Sequence, residues 1–142
     1  MKLYIAGPMF SQAELEFNEK LAETLEKNGL NVFLPQRDGL KMSELLKSMT
    51  TKEASCLIFE TDILNIRSCD AFLFVLDGRV PDEGACVALG YAYSQNVPCY
   101  GLKTDPRSTI SGEINPMLRG SIQKEFTTIE ETASFFRNRK GE

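Results

Sequence analysis

Histidine is absent from all 142 residues, so the commonest general base and the commonest metal ligand are both missing. Acid or base chemistry therefore falls to carboxylates, tyrosine, lysine or cysteine. No run of 18 apolar residues occurs, which excludes a membrane-spanning helix. The apolar stretch Leu3-Tyr4-Ile5-Ala6 is too short for a secretory core followed by a cleavage site, and the expected location is the cytoplasm. Excess positive charge is lacking too: 16 Lys plus Arg stand against 20 Asp plus Glu, a net charge of −4. Nucleic acid and anionic lipid both reward clustered cations, so neither nucleic acid nor membrane is an expected partner. No CxxC pair exists among Cys56, Cys69, Cys86 and Cys99, which stand 13, 17 and 13 residues apart. A zinc site is not expected, and no metal or cofactor is assigned. The cysteines read as reduced, partly buried small hydrophobes without an activating base.

What is present is one domain's worth of chain, 42% hydrophobic, in which strands alternate with helices. Leu3 to Ala6 is a short apolar run stopped by Gly7-Pro8. Phe17, Leu21 and Leu25 then recur every four residues within a helix expected over Ala13 to Asn28. Gly29 falls where a left-handed C-cap residue is wanted, and Leu30 to Leu34 reads as a second strand stopped by Pro35. The polar stretch from Gln36 to Ser43 is expected to be a loop, with short helical pieces through Leu45, Leu46 and Met49. A helix is expected from about Glu53 to Ser68 and carries Asp62. Ala71 to Leu76, six apolar residues in a row, suits a central parallel strand covered on both faces. Glu83 to Ser94 reads as a slim helix, with Gly84, Ala85, Ala88, Gly90 and Ala92, and Val97 to Leu102 as the next strand. Thr104 to Gly120 is expected to be a long loop with a helical turn near Asn115 to Leu118. Thr128 and Glu131 have capping-box spacing and open a last helix through Phe136, before a frayed tail from Arg137. The pattern predicts an α/β fold: a doubly wound parallel sheet of about five strands, with ligands beyond the carboxyl ends of the strands.

Four segments follow those strand ends: Gly7 to Phe10, Pro35 to Asp38, Asp77 to Gly84, and Lys103 onward. They are expected to converge on one crevice. Gly7-Pro8 is neither a GxGxxG nor a Walker A turn, so a dinucleotide or triphosphate cradle has little support. Taken singly, Asp82 reads first as a helix N-cap and Asp62 as solvated helix surface, while a core aromatic is the alternative for Tyr4 and a loop residue the alternative for Gln36.

Taken together they say more. Tyr4-Ile5-Ala6-Gly7-Pro8-Met9-Phe10, then Asp62 and Asp70, then Val80-Pro81-Asp82-Glu83-Gly84 leading to Leu89-Gly90-Tyr91-Ala92, and finally Asn115-Pro116-Met117 resemble the nucleoside 2-deoxyribosyltransferase family. The resemblance runs from about residue 3 to 120. It implies exchange of the nucleobase of 2′-deoxyribonucleosides for a free nucleobase, with retention, through an ester between the sugar and a glutamate. That is the logic of retaining glycosidases. It also implies a homo-oligomer in which a neighbouring subunit completes each site. By resemblance, Tyr4 orients the nucleophile, Asp82 handles the proton on the base, and Asp62 contacts the sugar or supports the site. Gly7, Phe10 and Gly84 border the substrate, and Gln36 reads the base edge. Asn115, on the 5′-hydroxyl, and Met117, against sugar or base, are lent by the neighbour.

One position departs from the pattern. The family's nucleophilic glutamate stands six residues after the aspartate matched by Asp82, and here that residue is Ala88. Glu83 is five residues earlier, about 7.5 Å away along a helix axis and on another face, so it is no simple substitute. The covalent route is closed. With the surrounding set intact, Ala88 reads as a designed Glu-to-Ala replacement rather than decay. Two alternatives stay open: a 2′-deoxynucleoside 5′-phosphate N-glycosidase, which would need a phosphate pocket, and a non-catalytic nucleoside-binding module.

Overall fold

The computed structural model describes residues 1–107 and 113–139. Five strands, β1 (Lys2–Ala6), β2 (Asn31–Phe33), β3 (Ala71–Val75), β4 (Cys99–Leu102) and β5 (Lys124–Phe126), form one sheet in the order β2-β1-β3-β4-β5. Every pairing is parallel. Helix α1 (Gln12–Lys27) follows β1, and α4 (Thr51–Arg67) crosses from β2 to β3. Next come α5 (Glu83–Ser94) after β3, α6 (Pro116–Ser121) before β5, and α7 (Ile129–Arg139) at the end. Two short helices, α2 (Pro35–Asp38) and α3 (Met42–Leu45), occupy the stretch between β2 and α4.

Alternation along the strands builds two cores. Leu3 and Ile5 of β1 and Leu73 and Val75 of β3 join Leu21 and Leu25 of α1 and Phe136 of α7 on one face. Tyr4, Ala6, Phe72 and Phe74 join Ile66 of α4 and Leu89 and Ala92 of α5 on the other. Burial on both faces explains why Ala71 to Leu76 has no polar residue. The connections out of β1 and β3 run in opposite directions, so the switch point of this doubly wound sheet lies between those two strands.

The helix ends follow their chemistry. Ser11 and Glu14 form a full capping box on α1, and Thr50 and Glu53 form another on α4, which moves the start of α4 ahead of the expected Glu53. The amides of Gly29 and Leu30 bond back to the carbonyls of Glu26 and Leu25, a Schellman motif with Gly29 at φ +82. Asn96, at φ +59, ends α5 the same way through Val97 and Ala92, because asparagine tolerates the left-handed region better than most residues with a side chain. The tail expected to fray at Arg137 instead continues α7 to Arg139. Residues 140–142, and residues 108–112 of the expected long loop, lie outside the described residues. The fifth strand, Lys124–Phe126, is one the sequence pattern did not single out. It is a three-residue edge strand with only Phe126 buried, too short for an alternation to show.

Candidate active site

A cleft of about 510 Å³ opens at the switch point, between the loop after β1, the N-terminal half of α5 and one face of α4. Its walls bring together seven of the ten residues singled out from the sequence: Tyr4, Gly7, Phe10, Asp62, Asp82, Gly84 and Ala88.

Tyr4 sits in the middle of β1 and pairs in register with Phe33 of β2 and Phe72 of β3. Its ring stacks between theirs, with centroids 5.3 and 5.6 Å away and interplanar angles of 17° and 7°. Three aromatics in one row fix the ring, so the core and functional readings of Tyr4 are compatible. The hydroxyl hydrogen-bonds the Asp62 carboxylate. Burial, helped by that carboxylate, pushes the Tyr4 pKa well above the ordinary phenol value, and the hydroxyl stays a donor. Burial raises the Asp62 pKa as well, with the Tyr4 bond acting in the opposite direction.

Asp82 is the N-cap of α5: its Oδ2 accepts from the Ala85 amide at 2.9 Å. The cap engages one of two carboxylate oxygens on a residue that also lines the cleft. Gly84 makes room for this, since a Cβ there would come 3.3 Å from Asp82 Oδ2. Glu83, Val87 and Ala88 border the same cleft. The cleft wraps around the first turns of α5 widely enough to reach Glu83 despite its different helix face. At position 88 only a methyl group faces the space.

Gly7 is required by contact: a Cβ would lie 2.8 Å from Val75 Cβ and 3.0 Å from the Val75 carbonyl oxygen. The loop that follows is held by groups outside the cleft. The Phe10 and Ser11 amides donate to Glu14 Oε2 at 2.9 and 2.8 Å. Asn18, almost fully buried, donates to the Pro8 carbonyl at 3.0 Å and to Gln36 Oε1 at 2.9 Å.

Gln36 is therefore not brought to the cleft. Its Nε2 donates to the Leu15 carbonyl at 3.0 Å and to Glu19 Oε1 at 3.2 Å, so both ends of the amide are engaged against α1. The expected crevice takes in Pro35 but not Gln36. Asn115 and Met117 also lie outside it. Asn115 caps α6 by accepting from the Met117 amide at 2.8 Å, and both residues border a separate cavity of about 420 Å³ that also includes Lys103. Met117 is 79% exposed. Asp70 is remote, accepting from the Lys2 amide at the opposite end of β1.

Sequence reasoning missed Asn18 and Phe59. Asn18, a buried amide in the apolar stripe of α1, was the available signal for the first. Phe59 lines the cleft from α4 while 58% exposed, an uncovered ring that only the assembled cleft explains. Among the described residues no group of three or more Cys, Asp or Glu is placed to hold a metal, and no helix is long and apolar enough to cross a membrane.

The family model described as nucleoside 2-deoxyribosyltransferase matches residues 3–132. A conserved protein from Enterococcus faecalis V583 has a similar structure, with TM-score 0.82 and 25% identity over 98% of each chain. So does the 2-deoxyribosyltransferase of Bacillus psychrosaccharolyticus, with TM-score 0.78 and 24% identity over 94% of this chain and 90% of that one. A CMP N-glycosidase of Clostridium botulinum shares the fold at TM-score 0.60 and 16% identity, over 96% of this chain and 98% of that one. Comparison with curated proteins finds no match to the chain.

Proposed function

The chain belongs to the nucleoside 2-deoxyribosyltransferase family, and on that premise we propose that its cleft binds 2′-deoxyribonucleosides while Ala88 withholds the covalent step of base exchange. The observation that carries this reading is the make-up of one wall: Asp82, Gly84 and Ala88 stand together on α5, facing Tyr4 and Asp62. The places for proton handling and sugar binding are occupied, and the place for the nucleophile holds a methyl group. Removing a nucleophile closes the two-step route but leaves the binding contacts that do not pass through it.

Charge separates this reading from cleavage of a nucleoside 5′-phosphate. Among the described residues no lysine or arginine lines the cleft, whereas phosphate recognition calls for cations or bidentate arginine. A hydroxyl at the 5′ position fits better.

Asn115 and Met117 find their use in a neighbouring copy. Neither residue lines the cleft of its own chain, and Met117, at the start of α6, is exposed, which suits a residue lent to a neighbour. On this reading the protein is a homo-oligomer. Light scattering at micromolar concentration then gives a multiple of the monomer mass, and a monomeric mass with nucleoside binding intact removes the idea.

The decisive experiment incubates the chain and its Ala88→Glu variant with deoxyadenosine and a panel of free bases. Chromatography should show exchange only with the variant. Intact-protein mass spectrometry should show a sugar ester on residue 88 after brief exposure. Normal binding by Ala88→Glu with neither exchange nor a mass increment would overturn the assignment of position 88.

A further inference from the structure

Among the described residues, every charged side chain lining the cleft is acidic. Asp62, Asp82 and Glu83 are there, without any lysine or arginine, and the sequence holds no histidine. Much of the remaining wall is apolar, and it includes Phe10 and Phe59, which are 78% and 58% exposed. A ligand with a positive charge spread over an aromatic ring gains from this arrangement in two ways. The carboxylates attract it through walls that focus the field, and the ring faces attract it through their quadrupoles. Resting on the nucleoside-binding reading above, we propose that the cleft selects N-glycosides whose base is cationic, such as N7-alkylated purine nucleosides, and hydrolyses them.

The chemistry matches what the cleft lacks. A neutral base must be protonated as it leaves, and the family's exchange needs a nucleophile that Ala88 does not provide. A cationic base needs neither. The C1′–N bond breaks heterolytically, its electron pair goes to the ring nitrogen, and the base departs neutral. Positive charge passes to the sugar in an oxocarbenium-like transition state, which the carboxylates stabilise. A water molecule in the space beside the Ala88 methyl bonds through its oxygen to C1′. Its proton goes to the Asp82 carboxylate and then to solvent. The products are a neutral base, the free sugar and one proton, so no further reactant is required.

The test compares N7-methyl-2′-deoxyguanosine with 2′-deoxyguanosine, a pair that differs by one methyl group and one charge. Calorimetry should show the cation bound at least tenfold more tightly at low salt, with the ratio shrinking as salt is added. Chromatography should show 7-methylguanine released faster than in protein-free buffer. Glu83→Gln should reduce the affinity ratio several-fold, and Asp82→Asn, which keeps a cap on α5, should reduce the release. Equal affinity for both compounds overturns the charge selection and leaves the nucleoside-binding reading standing. Binding of neither overturns both. Tight binding of the cation with release only at the protein-free rate overturns the hydrolysis.

Discussion

The Tyr4 hydroxyl donates to the carboxylate of Asp62, tying the centre of β1 to the middle of α4 at the wall of the cleft. The tyrosine cannot easily turn away, because its ring is stacked between Phe33 and Phe72. The bond therefore fixes Asp62 rather than the reverse. Resemblance assigned Tyr4 to a residue at position 88, and the structure gives it an acidic partner on another helix.

Tyr4→Phe keeps the stack and removes the bond. The expected cost is about 0.5–1.5 kcal/mol, the range for a single hydrogen bond, toward the upper end because the acceptor is charged. The effect depends on pH. Without the donor, the Asp62 pKa climbs further above its unfolded value, and a carboxylate with a raised folded pKa favours the fold below the unfolded pKa and loses that contribution as pH rises through the folded one. The variant should therefore be closest to the parent near pH 4 and furthest from it near neutrality, as read by urea melts at the two pH values.

Asp62→Asn tests the same linkage from the other side. The amide still accepts from Tyr4 but has no charge to desolvate. Since burial is the larger influence on Asp62, the variant should melt above the parent at pH 7, and the difference should close as pH falls through the carboxylate range. A lower melting temperature at pH 7 would mean that the charged Tyr4–Asp62 bond outweighs the burial.

Much of the fold was legible because its signals are local. The unbroken apolar run from Ala71, the four-residue recurrence of Phe17, Leu21 and Leu25, and Gly29 at a helix end each report one physical requirement. Asp82 was legible twice over, as a cap and as a cleft residue, and both readings hold in the geometry. Gln36 was not. It lies just past a strand end, but where its amide points depends on Asn18 and the Leu15 carbonyl of a packed helix, and no periodicity encodes that. Lys124–Phe126 escaped because three residues at a sheet edge carry no pattern.

Gln36→Ala follows from that contact. It leaves the buried Asn18 amide with one partner fewer and the Leu15 carbonyl without its side-chain donor, a loss of about 1–3 kcal/mol. Because Asn18 also holds the Pro8 carbonyl, the loop after β1 should exchange its amide hydrogens faster. Discrimination between different bases should be unchanged, since Gln36 does not line the cleft. A change of base preference in binding assays would return Gln36 to base recognition.

Gly7→Ala addresses the floor of the site. The new methyl would lie 2.8 Å from Val75 Cβ and 3.0 Å from a backbone oxygen, and neither neighbour is the loose end of a flexible side chain. The expected destabilisation is about 1–3 kcal/mol, the range for inserting a methyl into packed structure. Denaturant titration should show a lower midpoint with an unchanged slope.

Asp82→Asn, placed in the Ala88→Glu background, separates the two roles that the structure gives this residue. Asparagine caps a helix about as well as aspartate, so the bond to the Ala85 amide survives and the melting temperature should hardly move. What is lost is a carboxylate that can pass a proton to and from the base, and departure of a neutral base depends on such a group. Base exchange should therefore fall by more than about tenfold, which corresponds to ~1.4 kcal/mol of barrier, while deoxynucleoside affinity changes little. Asp82→Ala supplies the contrast: it removes the cap as well, at about 0.5–2 kcal/mol of stability. If Asp82→Asn exchanged bases at nearly the parental rate while Asp82→Ala failed to fold, Asp82 would be a helix cap beside the cleft and not a participant in the reaction.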